Sequence, residues 1–108
     1  MQAVDLLRLV QRTVLERAGL QPAEVDQVVA GCVGQDGIQA FNVARGAWLS
    51  AGLPEKVPTT TIHTQCGSSQ QAVNLAFALI SSGAANAVVV CGVEAMSTVE
   101  IGSTVPQE

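Results

Sequence analysis

At 108 residues the chain is one small domain or part of a larger one. Its composition is 48% apolar and only 13% charged. An average globular protein carries roughly 25% charge, so this balance fits a piece of a multi-layered protein better than a free-standing domain. A net charge of −4 and a 3% aromatic share leave no electrostatic or stacking case for nucleic acid or an anionic membrane.

The first predicted element is an amphipathic helix from Val4 to Ala18. Val4, Leu7, Val10 and Val14 recur at helical spacing as its core face, with Leu6 beside them. Asp5, Arg8, Arg12 and Glu16 form the opposite, solvated stripe, where Arg12 and Glu16 are spaced to pair. Gly19 is the expected C-cap. Pro22 then begins a short helical turn over Ala23 to Val25. Gln27 to Val33 reads as a buried strand, because a β-branched run without alternation suits a parallel strand covered on both faces.

Gly34 to Gln39 is a polar loop. It lacks the Gly-Lys-Ser/Thr ending of a phosphate loop, and its Asp36 would repel phosphate. Asn42 is placed to N-cap a helix over Val43 to Ser50, closed by Gly52 and Pro54. Val57 to Thr64 is the next strand, with Pro58 at its edge. A helix then runs to Gly83, followed by a buried strand over Ala87 to Cys91 and a turn over Gly92 to Ser97. The tail from Ile101 to Glu108 reads as loop. Helix and strand alternate three times, which predicts an α/β fold with a parallel sheet.

Three cysteines, Cys32, Cys66 and Cys91, show no repeated spacing, which argues against a disulfide framework and for a reducing, cytoplasmic setting. With one histidine and no C-x-x-C, no metal site is expected. No apolar run reaches the roughly 20 residues a membrane-spanning helix needs, and the N-terminus lacks the blocks of a signal peptide.

The sequence centres on Thr64-Gln65-Cys66-Gly67-Ser68-Ser69. It reads as a strand end, a tight Gly/Ser turn and a helix start, with a cysteine at the corner. A helix N-terminus favours the thiolate, which is the nucleophile. Gly67, Ser68 and Ser69 leave space for a substrate. From Val57 to Val93 there is no charged residue, so the segment is expected to be buried between layers. The residues alone leave two readings open: a reactive Cys66, or an inert buried one.

Further residues bear on that choice. Cys66-Gly67-Ser68-Ser69-x-x-Ala72-Val73, followed by Val90-Cys91-Gly92-Val93-Glu94-Ala95-Met96-Ser97, resembles the acyl-enzyme region of the thiolases, the acyl-CoA C-acetyltransferases. Gly31-Cys32-Val33-Gly34-Gln35 and Asn42-x-Ala44-Arg45 match the same family in order. The chain departs from the pattern at His63, where a small polar residue is usual, at Gln70-Gln71, and at Ala95. Gln70-Gln71 is similar to a bacterial acyl-CoA acetyltransferase branch and does not fix the substrate.

The resemblance implies that residues 1–108 are a partial N-terminal thiolase domain, half of an αβαβα layered core, with the C-terminal domain absent. In that family a first strand precedes the first helix and lies mid-sheet, in the order 3-2-1-4-5. Here it is missing, so its two neighbours are expected to face an open gap. Cys66 is the implied acyl-thioester nucleophile, and its backbone N–H an oxyanion donor. Coenzyme A thioesters are the implied substrates, with no bound cofactor. The implied partners are acyl-CoA and CoA, with a homodimer or homotetramer for the full-length protein. The family's activating histidine and second cysteine have no counterpart here. His63 is set apart from the sulfur by strand alternation. Glu94, Met96 and Ser97 are expected to support the pocket, Asn42 to cap its helix, Arg45 to lie on the helix surface, and Cys32 and Cys91 to pack. Two other readings are a ketoacyl synthase-like condensing enzyme and a non-catalytic thiolase-like binding protein.

Overall fold

The valine-rich runs of this chain form strands, and the computed structural model describes them within residues 2–35 and 42–94. β1 (Gln27–Gly31), β2 (Thr59–Ile62) and β3 (Val88–Gly92) are all parallel, in the order β2-β1-β3. Each strand is bounded within a few residues of its predicted span. Val28, Val29 and Ala30 are buried, as a central strand covered on both faces requires. The α/β fold with a parallel sheet is as predicted.

The expected gap is not there. β1 pairs directly with β3, from Gln27 opposite Val88 to Gly31 opposite Gly92. Two facing rows of N–H and C=O groups satisfy each other when nothing stands between them. At the other end of the sheet, Asp26 accepts the N–H groups of Asn86 (2.7 Å) and Ala87 (3.2 Å), and its own N–H donates to Ala87 O. These bonds set the β1–β3 register.

Two helices cover one face. α1 (Ala3–Ala18) turns Ala3, Leu7, Gln11 and Leu15 inward, and α2 (Val43–Ser50) turns Val43, Ala44, Ala47 and Trp48 inward. The α1 face differs from the expected one. Val10 and Val14 are 48% and 45% exposed, while Gln11 is buried. Gln11 holds its place because its Nε2 donates to Ala44 O (3.2 Å) and lies 3.7 Å from the Cys91 sulfur. The ion pair on the solvated side is Arg8 with Asp5 at 2.8 Å, instead of Arg12 with Glu16 among the described residues. Gly19 caps α1 in the left-handed region (φ 69°), as expected. Trp48 is fully buried and its indole N–H donates to Pro54 O at 2.8 Å, so the largest core side chain leaves no polar atom unpaired.

α3 (Ser68–Ser81) lies on the opposite face. Its inward residues Ser68, Ala72 and Ala76 are small and spaced by four, which lets the helix backbone approach the sheet closely. The uncharged segment was expected to be covered, but the outward side of α3 is not: Val73 and Ile80 are exposed and Phe77 is 72% exposed. Nothing in the described residues lies over it, so its lack of charge has no explanation within this layer. The result is a three-layer unit: α1 and α2, the sheet, then α3.

Candidate active site

Loops leaving the C-terminal ends of parallel strands form the usual crevice of an α/β sheet. Here three such ends converge. β1 ends at Gly31 and β3 at Gly92, side by side in register, and the start of α3 rests on both. A Cβ on Gly31 would lie 2.7 Å from Ser69 N and 2.9 Å from Ser68 C. One on Gly92 would run into Ser69 Oγ. The two glycines therefore form the seat of α3, with the backbone closing off any side chain at Gly31 and the movable Ser69 hydroxyl crowding Gly92. Sequence reading missed this seat; its signal was two glycines at the ends of buried strands.

Between β2 and α3 the chain reverses over residues 63–67. Gln65 takes the left-handed conformation (φ 57°), which is uncommon for a residue with a side chain. Gly67 N–H donates to Thr64 O and Ser68 N–H to Gln65 O, both at 3.2 Å, so two turns overlap. Cys66 sits at the apex, exposed, one residue ahead of the N-cap Gly67. The sulfur is thus open to solvent in this chain, not enclosed at a buried helix tip as expected. The adjacent helix N-terminus contributes its partial positive charge over the first turn.

The other two thiols differ. Cys32 is buried and Cys91 half-buried in β3. Burial pushes the Cys91 thiol up, partly offset by its hydrogen bond with Gln11. Both read as packing residues, as expected.

The remaining candidate residues hold the frame. His63 is exposed, and its Nδ1 accepts the Gln65 N–H at 3.3 Å, so the ring is engaged with the turn backbone. Asn42 stands at the N-cap position of α2, but its side chain does not cap the helix. Its own φ is 59°, its Nδ2 donates to Thr59 O (2.8 Å) and its Oδ1 accepts the Thr61 hydroxyl (2.7 Å), tying α2 to β2. Arg45 donates to Val57 O (2.5 Å) and Glu55 O (2.7 Å), closing the α2–β2 loop. Glu94, just past β3, accepts the N–H groups of Val33 and Gly34 and so anchors the loop after β1. Ala95, Met96 and Ser97, residues 36–41 and the tail lie outside the described residues.

A family model described as thiolase, N-terminal domain, matches residues 1–107. The chain belongs to the thiolase family. Its relatives carry matching names. A steroid 3-ketoacyl-CoA thiolase, FadA6, of Mycobacterium tuberculosis is 50% identical over 93% of this chain, which is 25% of that protein. A 3-ketoacyl-CoA thiolase of Saccharophagus degradans is 41% identical over 90% of this chain and 25% of its own length. The crystal structure of the Bacillus anthracis acetyl-CoA acetyltransferase superposes with a TM-score of 0.84 at 37% identity, over 98% of this chain and 28% of that one. The thiolase fold is therefore established, and the chain spans about a quarter of the length of these relatives. Among the described residues of this thiolase domain, no helix is long and apolar enough to cross a membrane.

Proposed function

We propose that this chain supplies the acyl-accepting nucleophile of an acyl-CoA C-acyltransferase. The observation that carries this is Cys66: the exposed thiol of the three, at the apex of a strand–turn–helix corner, beside the C-terminal ends of a parallel sheet. The Cys66 thiolate attacks the thioester carbonyl of an acyl-CoA. A carbon–sulfur bond to Cys66 forms, the bond to the CoA sulfur breaks, and CoA leaves as a thiolate that takes up a proton. A second acyl-CoA then condenses with the acyl group, or free CoA removes it. Run in the cleaving direction, the same cysteine attacks the keto carbon of a 3-ketoacyl-CoA; the carbon–carbon bond breaks, the acyl group stays on Cys66, and acetyl-CoA leaves as an enolate that takes up a proton. The tetrahedral oxyanion needs aimed donors, and the Cys66 N–H is one of them.

The proton-handling histidine and second cysteine belong to the remainder of a longer protein, so residues 1–108 alone are inactive. No bound cofactor is needed, since the acyl group is carried on CoA. The setting is cytoplasmic lipid breakdown, and the full-length protein is a homodimer or homotetramer. The 50% identity to a relative named for steroids supports a bulky, sterol-side-chain-like acyl group as a second, narrower reading, alongside linear fatty acyl groups in β-oxidation. The test is thiolysis of acetoacetyl-CoA, and of a branched 3-ketoacyl-CoA, by the full-length protein and its Cys66→Ala variant. Turnover abolished in the variant supports the proposal; turnover retained overturns it.

A further inference from the structure

Ser68 has an arrangement that its place in the helix does not explain. It is the first residue of α3, and its residue is only 5% exposed. The N-cap position is Gly67, which has no side chain to cap with. A serine at a helix start ordinarily accepts from the N–H groups ahead of it. Ser68 instead reaches backwards. Its Oγ accepts the Thr64 N–H at 2.9 Å and donates to the Gln65 carbonyl at 2.7 Å. One hydroxyl therefore ties the helix side of the reversal that carries Cys66 back to its strand side, using its donor and its acceptor together.

The segment it spans is the one that needs holding. A non-glycine residue in the left-handed region is disfavoured and persists where its surroundings fix it. Gln65 is such a residue, and its carbonyl is one of the two groups Ser68 binds. Ser68 is itself held from below, because the start of α3 is seated on Gly31 and Gly92. The sheet fixes α3, Ser68 fixes residues 64 and 65, and Cys66 lies between them with an exposed side chain.

We propose that Ser68 is the positioning residue for Cys66: its hydroxyl clasps Thr64 N–H and Gln65 C=O and so holds the thiol at the attack angle, without touching substrate. The proposal rests on the reading of Cys66 as the acylated residue. Alanine removes both bonds of the clasp, and threonine keeps the hydroxyl.

The experiment compares wild type, Ser68→Ala and Ser68→Thr in the full-length protein. The rate of Cys66 acylation by acetyl-CoA is followed across substrate concentration, and amide exchange is read at Thr64 and Gln65. Misplacement of a reacting group by about 1 Å can slow a reaction about 100-fold. Ser68→Ala is expected to lower the acylation rate at saturation by roughly 10- to 100-fold with half-saturation within about twofold of wild type. Thr64 exchange is expected to rise, and threonine to restore both readouts in large part. A Ser68→Ala acylation rate within about twofold of wild type, measured on folded protein, overturns the proposal. So does unchanged Thr64 exchange, or threonine no better than alanine in both readouts. Absence of any acyl group on wild-type Cys66 refutes the nucleophile reading instead. The clasp is then judged by Thr64 exchange alone, which depends on no chemistry.

Discussion

Cys66 faces solvent while Cys32 is buried and Cys91 is half-buried with its thiol pushed up by desolvation. Iodoacetamide at neutral pH should therefore label Cys66 first, since the thiolate is the attacking form and access limits the rest. Peptide mapping after brief exposure checks this, and equal labelling of Cys32 or Cys91 would contradict it. Asp26 gives a pH prediction. The backbone N–H groups of Asn86 and Ala87 hold its carboxyl below the usual range, with a smaller contribution from Lys56. A carboxylate whose folded-state pKa is lowered stabilises the fold above its unfolded pKa. That contribution is lost as pH falls through the folded value. An Asp26→Ala variant should be less stable than wild type at about pH 6, and the difference should shrink at a pH below the ordinary carboxylate range. Denaturant melts at the two pH values read this directly. At this scale the cysteine was legible because its neighbours are distinctive. The backward bonds of Ser68 were not, because a serine at a helix start looks the same in sequence whichever way its hydroxyl points.

At the scale of elements, the strands were legible because β-branched runs bounded by Gly, Pro and polar residues admit few alternatives. The face of α1 was not. Leu6, Leu7, Leu9, Val10, Val14 and Leu15 surround much of the helix, so two apolar stripes compete. The inward one carries Gln11, whose amide finds Ala44 O across the helix–helix contact, and no sequence pattern reveals that partner. The glycines supply a paired test. A methyl on Gly31 meets the backbone of Ser68 and Ser69, which cannot move aside as a flexible side chain could. Gly31→Ala should cost about 1–3 kcal/mol and displace the start of α3. Gly46, exposed within α2, has nothing within 4 Å of such a methyl. Gly46→Ala should stabilise by about 0.5–1 kcal/mol through helix propensity. Thermal unfolding of both variants checks the opposite signs; the same sign in both would refute the seat.

At the scale of the whole molecule, two surfaces stand out. α3 turns Val73, Phe77 and Ile80 to solvent, and β2 stands at the sheet edge with the uncharged run Thr59-Thr60-Thr61-Ile62. An apolar patch of this kind promotes association when left uncovered. Residues 1–108 expressed alone should therefore self-associate, and glutamine at Val73, Phe77 and Ile80 should reduce it in sedimentation velocity. An unaltered monomer at high concentration would contradict the expectation. An unpaired strand edge invites a second strand, so a charge at Ile62 should weaken the dimer proposed for the full-length protein; an unchanged oligomer by analytical ultracentrifugation would count against that. The absence of charge from Val57 to Val93 was legible as a sign of cover. For the outward side of α3, no described residue supplies that cover.

Every chemical step assigned to the molecule passes through one covalent bond. Full-length protein mixed with acetyl-CoA, quenched in acid and mapped by mass spectrometry should carry the acetyl group on the peptide containing Cys66, labile to hydroxylamine as a thioester is. An acetyl group on another residue, or none on any residue while thiolysis proceeds, would contradict the account.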